Sequence, residues 1–141
     1  MSRVINTSSP SKMRNQARRT IAEILRHLLL KKRLDEETKD MAAAVVFALR
    51  QIDGSIDITT EAWEKRNYFL KADRFRLEWE WVKPAADQLE DLIVAGKWEG
   101  LAQAMSALVP RFSDIRIVKM TRDMAEWKSS YALLLQQRAN S

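Results

Sequence analysis

Residues 41–49 form an unbroken apolar run, which strongly restricts the folds open to this chain. As a helix it would be apolar on nearly every side, which suits a helix surrounded by other helices. It is also far shorter than a bilayer-spanning segment. Asp35 can cap such a helix, Glu36 and Glu37 suit its first turn, and Gly54 predicts its end. We therefore expect a buried central helix that stops at Gly54.

A second amphipathic helix is predicted before this run, over residues 11–33. Pro10 favours a start there, because its fixed φ suits the first turn of a helix. Apolar residues recur three and four apart on one face: Met13, Ala17, Ile21, Ile24, Leu25 and Leu28. Basic residues recur every seven positions on the opposite face: Lys12, Arg19, Arg26 and Arg33.

The spacing after Thr60 predicts the longest helix, over residues 60–95, kinked or divided near Pro84 and ending at Gly96. Its first apolar stripe follows a bundle pattern: Tyr68, Ala72, Phe75, Trp79, Val82, Ala86, Leu89 and Ile93. A second stripe lies about 140° away on the helical wheel: Trp63, Leu70, Leu77, Trp81 and Leu92. A polar strip between the stripes includes Lys71, Arg74 and Glu78.

Two shorter helices complete the prediction, one over residues 97–109 and one beginning at Ser113. The fold class is therefore all-α: a single-domain bundle of four or five helices with one long helix that can be kinked at proline. We expect the bundle to occupy residues 11–138, between flexible tails at residues 1–10 and 139–141.

Composition excludes several kinds of site. The 141 residues contain no cysteine, one histidine and three scattered glycines, so disulfides, thiolate nucleophiles, cysteine-zinc sites and phosphate-binding glycine loops are not expected. His27 follows Glu23 by four positions, but two ligands on one helix do not make a metal site. No pair of carboxylates stands out for acid–base catalysis. We expect no bound metal and no cofactor. We favour a protein without catalytic activity over an enzyme.

Charge is unevenly distributed along the chain. Residues 1–33 hold nine basic residues and one acidic residue, for a net charge of +8, whereas the remainder is −3. The segment contains no apolar run of signal-peptide length, so a cytoplasmic protein without a transmembrane segment is expected. A transit peptide within residues 1–33 stays an alternative, because the segment is rich in arginine and poor in acids.

Two functional hypotheses follow from these patterns, and an enzyme or small-molecule binder is a third. The first is binding to a protein partner, or to a second copy, through the second stripe and the polar strip: Trp63, Leu70, Lys71, Arg74, Leu77, Glu78 and Trp81. The alternative is binding to nucleic acid or another polyanion through Lys12, Arg19, Arg26 and Arg33. Each pattern also has an explanation that involves no partner. The other helices of the bundle could cover the second stripe, and the cations could form an ordinary solvated face.

Overall fold

The computed structural model describes residues 9–31 and 34–141, and over these ranges the chain is helical with no β-strand. The predicted all-α bundle is therefore confirmed. The helices are α1 (Pro10–Leu30), α2 (Glu36–Lys65), α3 (Phe69–Trp79), α4 (Val82–Val94), α5 (Trp98–Leu108), α6 (Met124–Trp127) and α7 (Ser130–Ala139). A short 3₁₀ helix over Val109–Phe112 follows α5. Most of the predicted N-terminal tail lies outside the described residues.

The helix α2 is the centre of the bundle, as its apolar run predicts. It packs against α1, α3, α4, α6 and α7. The Asp35 side chain caps it by accepting a hydrogen bond from the Thr38 backbone N–H at 2.8 Å. Val45, Val46 and Leu49 have no exposed surface. The expectation that residues 41–49 are among the most buried is therefore confirmed.

The predicted end of this helix at Gly54 is wrong, because α2 continues to Lys65. Its apolar face extends through the buried Ile52 and Ile56, so packing carries the helix past the glycine. The helix is terminated instead by Asn67, which lies two residues after Lys65 and has a φ of +66°. The Tyr68 backbone N–H donates to the Trp63 carbonyl at 2.9 Å, which is the bonding pattern of a Schellman motif.

Replacing Gly54 by alanine is therefore expected to raise the free energy of unfolding by about 1 kcal/mol, because glycine inside a helix costs backbone entropy. Gly54 is exposed, and an added Cβ would meet no atom within 4 Å. Gly96 is the matched control, because its φ of +69° disfavours alanine and its replacement should lower stability. Urea unfolding followed by circular dichroism measures both, and a destabilised Gly54→Ala variant would show that the helix does not run through this position.

The helix predicted over residues 60–95 is divided among three elements. Its first residues belong to α2, and the remainder forms α3 and α4. The break between α3 and α4 falls at Glu80 and Trp81. Pro84 lies four residues after Glu80, so it offers no N–H to that carbonyl and its ring crowds it. The predicted interruption near Pro84 is thus observed, and the longest helix is α2, with 30 residues.

The rest of the chain follows the prediction only in part. The helix α5 agrees with the one expected over residues 97–109, and Gly96 ends α4 in a left-handed conformation. No helix begins at Ser113, which corrects that prediction. Residues 113–123 are irregular and are followed by the four-residue α6. Trp127 of α6 is buried, so this short helix still contributes to the core.

Candidate functional site

The four cations predicted for polyanion binding occupy different environments. Lys12 and Arg26 are exposed, and Arg33 lies outside the described residues. Arg19 is partly buried, and its Nε donates to Glu23 Oε2 at 2.7 Å. The ordinary solvated face that the sequence allowed is therefore not found at Arg19.

Arginines of α1 hold the irregular segment 113–122 against the bundle. An irregular segment lacks the internal backbone hydrogen bonds of a helix, so its carbonyl groups need other donors. Three arginines supply direct contacts: Arg18 Nη2 to Asp114 Oδ1 at 2.6 Å, Arg19 Nη2 to the Lys119 carbonyl at 2.7 Å, and Arg26 Nη1 to the Ile117 carbonyl at 2.8 Å. Much of the basic face of α1 thus binds the chain itself.

A fully buried carboxylate, Glu23, fixes the end of this segment. Besides the bond from Arg19, it accepts hydrogen bonds from Thr121 Oγ1 at 2.6 Å, from the backbone N–H groups of Thr121 and Arg122 at 2.7 and 2.9 Å, and from Arg122 Nη1 at 3.2 Å. Burial alone raises the pKa of Glu23, but these hydrogen bonds outweigh it and lower the pKa to about 2. The group is an ionised structural anchor.

His27 does not pair with Glu23. Its ring lies edge-on to Trp127, with centroids 5.5 Å apart, and its Nε2 is buried without a hydrogen-bond partner among the described residues. No group of three or more His, Cys, Asp or Glu side chains that could hold a metal occurs in the described ranges. The anchoring role of Glu23 could not be predicted from the sequence, because Thr121 and Arg122 lie almost a hundred positions away in the chain.

The predicted partner-binding residues lie around a groove where α2 ends and α3 begins. This open groove, about 910 Å³ in volume, is called the corner groove below. Five of the seven predicted residues line it: Trp63, Leu70, Lys71, Arg74 and Glu78. The remaining lining residues are Arg66, Asn67, Tyr68, Phe69 and Phe75. The turn at Asn67 creates the groove by folding α3 back beside the end of α2.

Several large apolar side chains around the corner groove are exposed, as are Leu29, Leu30 and Val118 elsewhere on the bundle. Tyr68, Phe69, Leu70 and Leu77 are 46%, 55%, 62% and 65% exposed, respectively. Of the eleven residues of α3 only Ala72 is buried, and α3 packs mainly against α2. Leu70 and Leu77, seven positions apart, share the side that the bundle leaves open, which we call the outward face of α3. Soluble monomers rarely expose contiguous apolar surface of this kind unless it binds something.

The floor of the corner groove is aromatic, and cations lie over the rings. Trp63 is half-buried and meets Phe75 edge-on, with centroids 5.1 Å apart. Lys71 Nζ lies 4.4 Å from the centre of a Trp63 ring, and the Arg66 guanidinium lies 5.3 Å from that of Tyr68. Such contacts are weak at exposed positions, so they leave these cations available to a stronger partner.

Trp81 does not join the groove. It is half-buried, it stacks on Trp79 with centroids 6.3 Å apart, and it meets Phe112 edge-on at 5.9 Å. It therefore packs against the hydrophobic core on the far side of the break between α3 and α4. Leu77 also lies outside the lining of the groove, but its exposure extends the apolar surface along α3.

A second cleft bears on the small-molecule alternative. It has a volume of about 350 Å³ and lies between the end of α1, the start of α2, and α5, where Leu28, Leu101 and Met105 line it. Lys31 at its edge already binds Asp35 and Glu37, both at 3.0 Å. The cleft is mainly apolar, and its one cation is already engaged by carboxylates of the chain itself.

Comparison with known proteins identifies no relative: no family model, no curated protein and no solved structure matches this chain. None of the helices in the described ranges is both long and apolar enough to span a bilayer.

Proposed function

We propose that this chain is a non-catalytic interaction protein that binds a protein partner through the corner groove and the outward face of α3. The single observation that carries this proposal is the exposure of four large apolar side chains in one region, at residues 68, 69, 70 and 77. Apolar side chains that are exposed to water in one region favour burial against another surface.

The composition of the surface supports a protein partner. Aromatic residues and arginine are enriched in the centres of protein interfaces, and both occur in the corner groove. The groove also provides a concave surface beside Leu70 and Leu77 of α3. A helix with an open apolar face can receive a partner helix by ordinary helix packing.

The polyanion alternative has less support. Arg19 and Arg26 bind the chain's own carboxylate and carbonyl groups, so fewer cations of α1 are available to phosphates. No aromatic residue precedes Phe47, so α1 offers no stacking platform for bases.

Site-specific photo-cross-linking tests the proposal. A photoreactive benzoylphenylalanine replaces Leu77 in the full chain, expressed at native level in its own organism, and the matched control places it at the exposed Gln103 of α5. We expect a discrete heterologous adduct from position 77 and none from position 103. The same adduct from both positions, no adduct from position 77, or only a dimer of this chain would contradict a protein partner at this surface.

A further inference from the structure

We infer that the occupant of the corner groove is an acidic, amphipathic helical segment of the partner. This inference rests on the proposed function and specifies the chemistry of the partner. It is carried by three cations in the groove that have no carboxylate partner within the described chain: Arg66, Lys71 and Arg74.

Most described arginines bind acceptors within the chain. Eight donate to carboxylate, carbonyl or hydroxyl oxygens: Arg14, Arg18, Arg19, Arg26, Arg50, Arg76, Arg122 and Arg138. Four described arginines donate no such bond, and two of these four, Arg66 and Arg74, lie together in the corner groove, whereas Arg111 and Arg116 lie outside it. A guanidinium presents a planar fork of donors that matches a carboxylate, so the two side chains offer unused acid-binding capacity beside exposed apolar groups.

The acids near these cations do not neutralise them. Glu78 is the one carboxylate in the lining of the groove, against three cations. The neighbouring Glu64 binds Arg76 through two hydrogen bonds of 3.0 Å. The groove therefore presents net positive charge, and charge complementarity favours an acidic occupant.

The shape of the surface favours a helix. No exposed strand edge exists in the described ranges to pair with an extended peptide. The helix α3 is about 16 Å long, which matches about three turns of a partner helix. Leu70 and Leu77 can meet apolar residues spaced three, four and seven apart on that helix, while its flanking acids reach the cations.

Single-stranded nucleic acid is the competing occupant, because aromatic rings beside cations can also bind bases and phosphates. The exposed leucines would gain little from a sugar–phosphate backbone. The observations therefore favour a peptide.

A displayed library of 14-residue peptides tests the inference. Leucines are fixed at helical spacing, and the flanking positions are varied among Glu, Lys, Ser and Ala. Selection on the full chain should enrich Glu over Lys at the flanks. Selection on an Arg66→Glu/Arg74→Glu variant should reverse this preference, and the best acidic peptide should bind this variant at least ~30-fold more weakly. An Arg111→Glu/Arg116→Glu variant has the same charge change at exposed arginines outside the groove and should keep both the preference and the affinity.

The outcomes separate this inference from the proposed function. Binders that are lost in a Leu70→Asp/Leu77→Asp variant but show no preference for acids would overturn the inference and leave the proposed surface standing. Binders that are unaffected by that variant would overturn both. A (dT)₁₂ oligonucleotide that binds in an Arg66- and Arg74-dependent manner, while acidic peptides fail, would show a nucleic-acid site instead. Circular dichroism of every variant verifies that each one folds.

Discussion

Replacing Glu23 by glutamine is expected to lower the free energy of unfolding by about 3 kcal/mol at pH 7. The neutral amide would leave Arg19 and Arg122 without their shared buried partner, and its NH₂ group would face N–H donors. The lowered pKa of Glu23 independently indicates the size of this loss of unfolding free energy. A fall from an ordinary 4.5 to about 2 corresponds to about 3 kcal/mol of stabilisation of the folded state. Urea unfolding followed by tryptophan fluorescence measures the change.

The same substitution should change the response to acid. Because the pKa of Glu23 is lower in the folded state, its stabilisation is complete above pH 5 and disappears as the pH falls towards 2. The difference in stability between parent and Glu23→Gln should therefore shrink over this range. Glu99→Gln, at an exposed position in α5, is the control and should change stability by less than about 0.5 kcal/mol. A difference that is small at neutral pH, or that does not shrink in acid, would show that Glu23 is not an ionised anchor.

Leu49→Ala is expected to lower the free energy of unfolding by about 3 kcal/mol, whereas Leu77→Ala should change it by less than about 0.5 kcal/mol. The two residues are chemically identical, but Leu49 has no exposed surface and Leu77 is 65% exposed. Truncation therefore leaves a cavity at the first position and removes only exposed surface at the second. A comparable loss for both variants would mean that Leu77 is covered by the bundle in solution, which would argue against an open binding surface.

Much of the bundle could be predicted because helical periodicity is a local signal. The apolar face of α1 and the run at residues 41–49 are both found in the core, with Ile21 and Leu49 fully buried. The end of α2 could not be predicted in the same way. Gly54 favours a helix end locally, but burial of Ile52 and Ile56 against the bundle outweighs this preference. Asn67, which ends α2 in a left-handed conformation, was the overlooked local signal.

The failure at Ser113 has a different origin. Residues 115–124 also show helical spacing, but Glu23 and the arginines of α1 bind the backbone of this segment and stabilise an irregular conformation. These contacts join positions almost a hundred residues apart. A pattern within a short window of sequence contains no information about them, and the only local hint was the spacing of Arg19 and Glu23.

The candidate site was predicted through a partly wrong geometry. The stripe was expected on a helix over residues 60–95 that is kinked or divided only near Pro84, whereas Trp63 belongs to α2 and Leu70 to α3. The turn at Asn67 still brings Trp63 and Lys71 together, with Lys71 Nζ 4.4 Å from the tryptophan ring. Trp81 separates from the site because the break between α3 and α4 falls at Glu80 and Trp81. Residues on both sides of the turn thus form one surface, although they belong to two helices and not to the single helix that was predicted before Pro84.

The most direct test of the central claim compares the yield of the position-77 cross-link in the parent chain and in a Leu70→Asp variant. A buried charge at the centre of an interface is costly, whereas the same charge on an exposed face is tolerated. The adduct is expected to fall to the level of the Gln103 control while the unfolding free energy changes by less than about 0.5 kcal/mol. An unchanged yield of adduct from a folded Leu70→Asp variant would contradict that claim.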